Sequence, residues 1–291
     1  MPTDLRAKTG LAYDDIAPTE RVDAAAGSID VAAQRPVVLV HAGICDRRMW
    51  DPQMAALAGR RVVRLDLRGF GASDRKPSST LSHHREVAAL LEELEIERAH
   101  LVGVSMGAGV VAELAVAQPE LVGSLLLVAP SGSLRTEVTA DIEAFWEAEQ
   151  EALDEEDLDG AVEANLETWV DGPGQPSDRV VPAVRAFVAQ MQLKAFENVD
   201  GWDEEDLDDQ GLEPSVGQRA AEIGVPTRIL VGDLDVAAIG RTAARLAEEI
   251  PGASLVRWPD VAHLPSLERP DDFNRLAVGW FDEVEGLARS A

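Results

Sequence analysis

The stretch "HLVGVSMGAG", His100 to Gly109, runs from a short apolar segment into a serine with a glycine two places before it and another two places after. Its reading decides the fold. An apolar run of this length reads as a buried strand, and from Met106 to Gln118 the residues Val110, Val111, Leu114 and Ala117 recur at helical spacing. A sharp strand-to-helix turn crowds its own backbone. A side chain at either flanking glycine would clash there, and the serine is pushed toward unfavourable dihedrals. The turn gains an exposed hydroxyl at a helix start, where N–H groups and the helix dipole favour negative charge. A tight turn with Ser105 as mere filler is the alternative reading; the strand before and the helix after favour a nucleophile.

The same alternation extends along the chain. "VVLVH" (37–41), "RVVRLDL" (61–67), "AHLVGV" (99–104), "GSLLLVA" (123–129), "TRILVGD" (227–233) and "ASLVRW" (253–258) read as buried strands. Helical stretches lie between them, such as "SHHREVAALLEELE" (82–95) with Val87, Leu90, Leu91 and Leu94 on one face. Strand, helix, strand, helix implies an α/β fold with a mainly parallel sheet covered on both faces. The first three dozen residues suggest an antiparallel hairpin at the sheet edge. The alternation stops between 134 and 215, where 24 acidic residues face four basic ones. "EEDLDG" and "DEEDLDDQG" there read as solvated helix ends and loops. The segment nevertheless holds Phe145, Trp146, Trp169, Phe187, Phe196 and Trp202, nearly half of the chain's aromatics. An acidic exterior with an aromatic underside describes a helical lid over something apolar. The expected division is a core of 1–133 and 216–291 with a cap of 134–215.

Composition excludes several classes. With 291 residues and 46% of them hydrophobic, the chain can bury a large core, yet no apolar run is long enough to span a membrane. A net charge of −27 repels phosphate backbones and anionic membranes, so neither nucleic acid nor membrane is an expected partner. The single cysteine, Cys45, permits no internal disulfide framework and no thiolate metal site of the usual kinds. The start "MPTDLRAKTG" has neither a basic nor an apolar leader region. A cytoplasmic monomer or small homo-oligomer acting on a small molecule is expected.

A serine hydroxyl needs a base, and the base needs an acid to orient it. Of five histidines, His83 and His84 sit at a helix start and read as solvent-facing. His100 opens a strand and reads as structural; His41 ends one. His263, in "PDVAHLPSLERP" between the last strand and the last helix, can reach a site at the strand ends and is the expected base. "LVGDLDVAAI" offers Asp235 as the acid, with Asp233 as fallback, while Asp260 reads as a turn residue. The order Ser105, Asp235, His263 is nucleophile, acid, base.

With these residues in place the chain resembles the α/β-hydrolase fold superfamily, over nearly its whole length. "HAGICDRRMW" (41–50) looks like the family's oxyanion loop with its downstream tryptophan, with Ala42 where glycine is usual. "DLRGFGASD" (66–74) resembles a structural signature loop, "GVSMG" the nucleophile elbow, and "GDLD" with "AHLPSLERP" the acid and histidine loops. The resemblance implies an oxyanion hole at the backbone N–H groups of Ile44 and Met106, and no metal or organic cofactor. Trp50, Arg135, Trp146 and Trp169 are the candidate substrate-binding residues. Cys45 beside the oxyanion loop reads as a buried structural thiol.

Absent features narrow the branch. Dehalogenases and epoxide hydrolases of this fold attack with aspartate, and the only tyrosine, Tyr13, lies far from the cap. Dienelactone hydrolases carry cysteine at the elbow. Proline iminopeptidases and meta-cleavage hydrolases have glycine- and proline-rich oxyanion loops unlike "HAGIC". What remains resembles small carboxylesterases, 3-oxoadipate enol-lactonases and haloperoxidase-type perhydrolases. The acidic cap argues against an anionic substrate, although Arg135 could pair with a carboxylate. A lyase or carbon–carbon hydrolase, or a ligand-binding signalling protein, could carry the same triad.

Overall fold

Runs of β-branched residues without polar interruption become strands buried on both faces, and four of them form the centre of this protein. The computed structural model describes residues 5–19 and 34–286. The strands are β1 (Leu5–Arg6), β2 (Ala12–Ile16), β3 (Val37–Val40), β4 (Val62–Leu65), β5 (Ala99–Val104), β6 (Val122–Val128), β7 (Thr227–Gly232) and β8 (Ser254–Trp258). Every residue of β3, β4, β5 and β6 is buried, as parallel strands covered by helices must be. The sheet order is β1-β2-β4-β3-β5-β6-β7-β8. The first two strands run antiparallel, β1 on β2 and β2 on β4; from β4 to β8 all neighbours are parallel. The hairpin expected at the sheet edge is therefore present over residues 5–16, and its continuation over 20–33 lies outside the described residues.

The order turns around at β3, which sits between β4 and β5. Loops leaving β3 and β5 consequently diverge to opposite sides and open a crevice at their carboxyl ends, where open α/β sheets bind ligands. The loop Ala42–Asp46 leaves β3 and Ser105 follows β5, so both border that crevice.

The helices are α1 (Met54–Leu57), α2 (His83–Glu93), α3 (Met106–Ala117), α4 (Ala140–Asp154), α5 (Leu158–Asn165), α6 (Pro182–Val199), α7 (Glu204–Leu207), α8 (Ala237–Glu249), α9 (Pro265–Glu268) and α10 (Pro270–Val284). Helices α4 to α7 form one insertion between β6 and β7, and a π-helical turn, Leu166–Asp171, follows α5. Helix α3 is apolar nearly all round, because it is enclosed by the sheet, α2 and the start of the insertion. No helix among the described residues is long and apolar enough to cross a membrane.

Helix α10 buries Phe273, Ala277, Trp280 and Phe281, and its end is tied to the sheet by a polar latch. His100 is fully buried, stacked on Phe281 at 4.7 Å, and shares hydrogen bonds with Ser124 Oγ (2.7 Å) and Glu285 Oε1 (3.0 Å). Glu285 also accepts from Arg60 (2.8 Å) and from the Arg35 amide (2.8 Å). Burial pushes its carboxyl up, but these hydrogen bonds together outweigh burial and hold its pKa at about 2. A carboxyl lowered on folding adds stability that is full above its unfolded value and lost as pH falls toward its folded one. The latch should therefore weaken between the ordinary glutamate value of 4.5 and about 2. Urea denaturation of the parent and Glu285→Gln should converge across that range; an unchanging gap between them would count against the latch.

Candidate active site

The elbow forms because nothing larger than hydrogen fits beside it. A Cβ on Gly103 would lie 2.2 Å from the Gly107 carbonyl oxygen, and one on Gly107 would lie 2.5 Å from the His41 carbonyl oxygen. Both distances are far inside van der Waals contact, so the strand, the helix and β3 can meet this closely only through glycine. Ser105 itself adopts φ 55° and ψ −115°, a left-handed conformation that serine tolerates only when its surroundings impose it. Its amide donates to Val128 O (2.9 Å), and its carbonyl accepts from Ala108 N (3.0 Å), so the turn is pinned from both sides. Met106 is the first residue of α3, and its N–H has no acceptor within the helix.

Across the crevice the loop after β3 makes a tight turn, closed by Cys45 N–H donating to Ala42 O (3.0 Å). That bond leaves the Ile44 N–H out of the turn's own pairing. His41 anchors the loop. Its Nδ1–H donates to Ala42 O (2.8 Å), while its Nε2 accepts from the Leu67 amide (2.9 Å). Burial pulls its pKa down, in keeping with a neutral ring that links two loops. Asp66, from the "DLRGFGASD" loop, accepts from the Arg47 amide (2.7 Å) and the Ala72 amide (2.8 Å), bracing the same loop from behind. Cys45 is fully buried, and burial pushes its thiol well above the ordinary range.

Asp235 and His263 meet at the ends of β7 and β8. His263 Nδ1 lies 2.8 Å from Asp235 Oδ2 and 2.9 Å from Oδ1, and both side chains are almost wholly buried. The Val236 amide donates to Asp235 Oδ1 (2.7 Å), which fixes the carboxylate's rotation. With Nδ1 held as a donor, Nε2 is the nitrogen left to accept a proton. None of the hydrogen bonds of the described residues joins Ser105 Oγ to His263, a contact that in unliganded sites is often long. Asp233 instead pairs with Arg257 at the surface (2.8 Å), and Asp260 is an exposed turn residue at φ 59°.

The insertion reaches the histidine through two residues. Trp169, in the π-helical turn, packs its ring 4.6 Å from that of His263 and is held edge-on by Phe145 at 5.2 Å. Arg179 donates to Val170 O (2.6 Å) and Asp171 O (2.6 Å) of that turn, and to Asp260 O (3.2 Å) of the histidine loop. It also binds Glu268, whose other oxygen accepts from the Ala262 amide (2.9 Å) beside His263. One guanidinium thus fixes the insertion and the histidine loop to each other. Removing it strands a buried carboxylate, so Arg179→Ala should cost about 3 kcal/mol of stability. A loosened histidine loop should also lower kcat by about tenfold well below the unfolding temperature. Urea titration and steady-state kinetics of the variant would measure both; an unaltered kcat would deny the link to His263.

A cavity of about 540 Å³ opens beside the elbow, between Gly43 and Met106 on one side and α6 on the other. Phe196, Val199 and Trp202 line it from the insertion, and Phe70 and Leu81 from the core. None of the four expected substrate-binding residues lines it. Trp50 is fully buried and packs against Phe273 in the core, because the short 3-10 helix that carries it (Arg47–Gln53) turns its ring inward. Trp146 is 42% exposed on the outer face of α4, and Arg135 lies over that ring at 5.1 Å, so the two cover each other outside the cavity. Trp169 touches His263 without lining the cavity. His83 and His84 are a further correction. Both are buried, because residues 209–211 fold back onto the start of α2: Asp209 Oδ1 accepts from the His83 amide (2.9 Å) and Gln210 O from Ser82 Oγ (3.0 Å).

A strand-ended serine elbow beside a buried aspartate–histidine pair, on a mostly parallel sheet with this order, defines a hydrolase of the α/β type. The alpha/beta hydrolase family profile matches residues 37–276, and the chain belongs to that family. It is 26% identical over 244 residues to the 3-oxoadipate enol-lactonase 1 of Acinetobacter baylyi, covering 82% of this chain and 86% of that one. To the rhodomycin D methylesterase of a Streptomyces strain it is 27% identical over 264 residues, covering 79% and 85% of the two chains. In fold it is similar to a thermophilic esterase from Thermogutta terrifontis, with a TM-score of 0.73 at 24% identity and 98% of both chains covered.

Proposed function

We propose that this protein hydrolyses a small or medium, largely uncharged carboxylic ester or lactone through an acyl-enzyme. The observation that carries the reading is the buried Asp235–His263 pair at the same, carboxyl end of the parallel strands as the Ser105 elbow. His263 Nε2 takes the Ser105 proton as Oγ attacks the carbonyl carbon, and Asp235 stabilises the imidazolium that forms. The tetrahedral oxyanion is received by the N–H groups of Met106 and Ile44, each contributing about 3–4 kcal/mol. His263 then returns the proton to the leaving alkoxide oxygen, and water repeats the sequence to free Ser105. The insertion over 134–215 acts as the cap that encloses the substrate, with 1–133 and 216–291 as the catalytic core. Enol-lactonase and methylesterase, the names of the two relatives, both denote cleavage of an acyl–oxygen bond, which supports this choice over a lyase or receptor role.

Steady-state hydrolysis of p-nitrophenyl esters from acetate to decanoate tests it. Repeated turnover with an optimum at one chain length is expected, and that optimum sizes the cavity. Failure to turn over any member would reject the esterase reading.

A further inference from the structure

The cavity wall is largely apolar, but polar side chains interrupt it. His83, Gln192 and Glu113 line it, and they are only 4%, 5% and 1% exposed. Neither ring nitrogen of His83 and neither polar atom of the Gln192 carboxamide makes a hydrogen bond with any of the described residues. His83 Nδ1, Gln192 Oε1 and Glu113 Oε1 are buried atoms without partners among the described residues. Glu113 Oε2, by contrast, is engaged by His84 Nδ1 at 3.1 Å. Buried polar groups are almost always paired, and leaving one unpaired costs free energy comparable to a lost hydrogen bond. Three such groups, carried by α2, α3 and α6 in the wall of one cavity, suggest a missing partner, not three separate defects.

The chemistry of that partner follows from what these groups offer. Burial drops the His83 imidazole to a pKa of about 3, so the ring is neutral and offers one donor and one acceptor. A carboxamide likewise offers both. Glu113 and Asp209 add carboxylate character, and the one cationic side chain among the described lining residues, Arg68, is already held by Glu86 and by the carbonyls of Thr9 and Arg75. A hydroxyl, which both donates and accepts, suits these groups; a carboxylate does not. Along α3, Glu113 stands about 10 Å beyond Met106 at the helical rise per residue.

We infer that His83 and Gln192, backed by Glu113, form a recognition subsite for a neutral hydroxyl group on the part of the substrate farthest from the scissile ester. The assignment rests on the ester-hydrolase reading and narrows its substrate class to hydroxylated esters or lactones. A subsite built to bind a hydroxyl discriminates against the analogue that lacks it, because its own buried groups are then left unpaired.

The test compares p-nitrophenyl 8-hydroxyoctanoate with p-nitrophenyl octanoate and the p-nitrophenyl monoester of suberic acid. The parent should favour the hydroxylated ester over octanoate in kcat/KM by about tenfold, with the carboxylate-ended ester slowest. In Gln192→Met and in His83→Phe that ratio should fall toward one, whatever happens to the absolute rate. A variant that merely unsettles the fold lowers both esters alike. A ratio near or below one in the parent, or one unchanged in both variants, would overturn the subsite. If the parent hydrolyses none of the three, the esterase reading has failed separately, and binding of 1,8-octanediol against octan-1-ol decides the subsite. Quenching of protein fluorescence, with Trp202 in the cavity wall, should then show the diol bound about tenfold more tightly. Equal or weaker binding of the diol would overturn it.

Discussion

Ser105→Ala is expected to lower kcat for ester hydrolysis by about 10⁴–10⁶-fold while leaving the denaturation midpoint nearly unmoved. Loss of one hydroxyl removes the nucleophile itself, so no acyl-enzyme forms. Only binding and the oxyanion donors remain, which still leave about 10³–10⁴-fold catalysis over water. Stability should change little because Ser105 Oγ makes no hydrogen bond with the described residues. The backbone at φ 55° is imposed by the Val128, Ala108 and Ser131 hydrogen bonds, which alanine keeps. Steady-state kinetics and a urea titration on the same preparation check both halves. A variant retaining more than a hundredth of parental turnover would exclude Ser105 as nucleophile.

Asp235→Asn should be nearly as severe, about 10⁴-fold in kcat, although it changes no volume. The reason lies in the neighbouring amide. Val236 N–H donates to Asp235 Oδ1 at 2.7 Å, so an asparagine will turn its carbonyl oxygen to that donor. Its NH₂ then faces His263 Nδ1, where Oδ2 now accepts at 2.8 Å. A donor at that place forces the imidazole proton onto Nε2, the nitrogen that must take the proton of Ser105. The wrong tautomer is therefore built in by the protein's own hydrogen bonding. Nitrogen-15 chemical shifts of the His263 ring should show the proton moved from Nδ1 to Nε2. Full activity with an unmoved proton would sever Asp235 from the mechanism.

Much of this architecture was legible before any coordinates. The six expected strands appear within a residue or two of their expected ends, but β8, expected to be buried, is only half-buried with Arg257 exposed, because as the last strand of the sheet it has a neighbour on one side only. The glycines around Ser105 announced a steric constraint, and the contacts a Cβ would make at Gly103 and Gly107 supply its physical content. Asp235 was separable from Asp233 because it lies farther into the loop beyond β7, where it can turn toward His263.

Other features depend on contacts between distant segments, which local pattern does not carry. His83 and His84 open a helix and would face solvent if residues 209–211 did not return to cover them. Trp50 lies in the expected oxyanion motif, but the turn that carries it points the ring into the core. The six insertion aromatics divide among three surroundings: Trp169 against the histidine with Phe145 behind it, Phe196 and Trp202 in the cavity wall, Trp146 and Phe187 beneath arginines. Arg179 is one of only four basic residues in the insertion, and that scarcity is the one local signal of its role. Nothing in the local sequence marks Gln192 at all.

The most direct test of the nucleophile is to quench the reaction with p-nitrophenyl octanoate within its first turnovers, measure intact mass, and map the modified peptide. A mass increase of one octanoyl group, confined to Ser105 and decaying at the rate of product release, is the predicted result. Steady ester turnover with no adduct, or an adduct on another side chain, would contradict it.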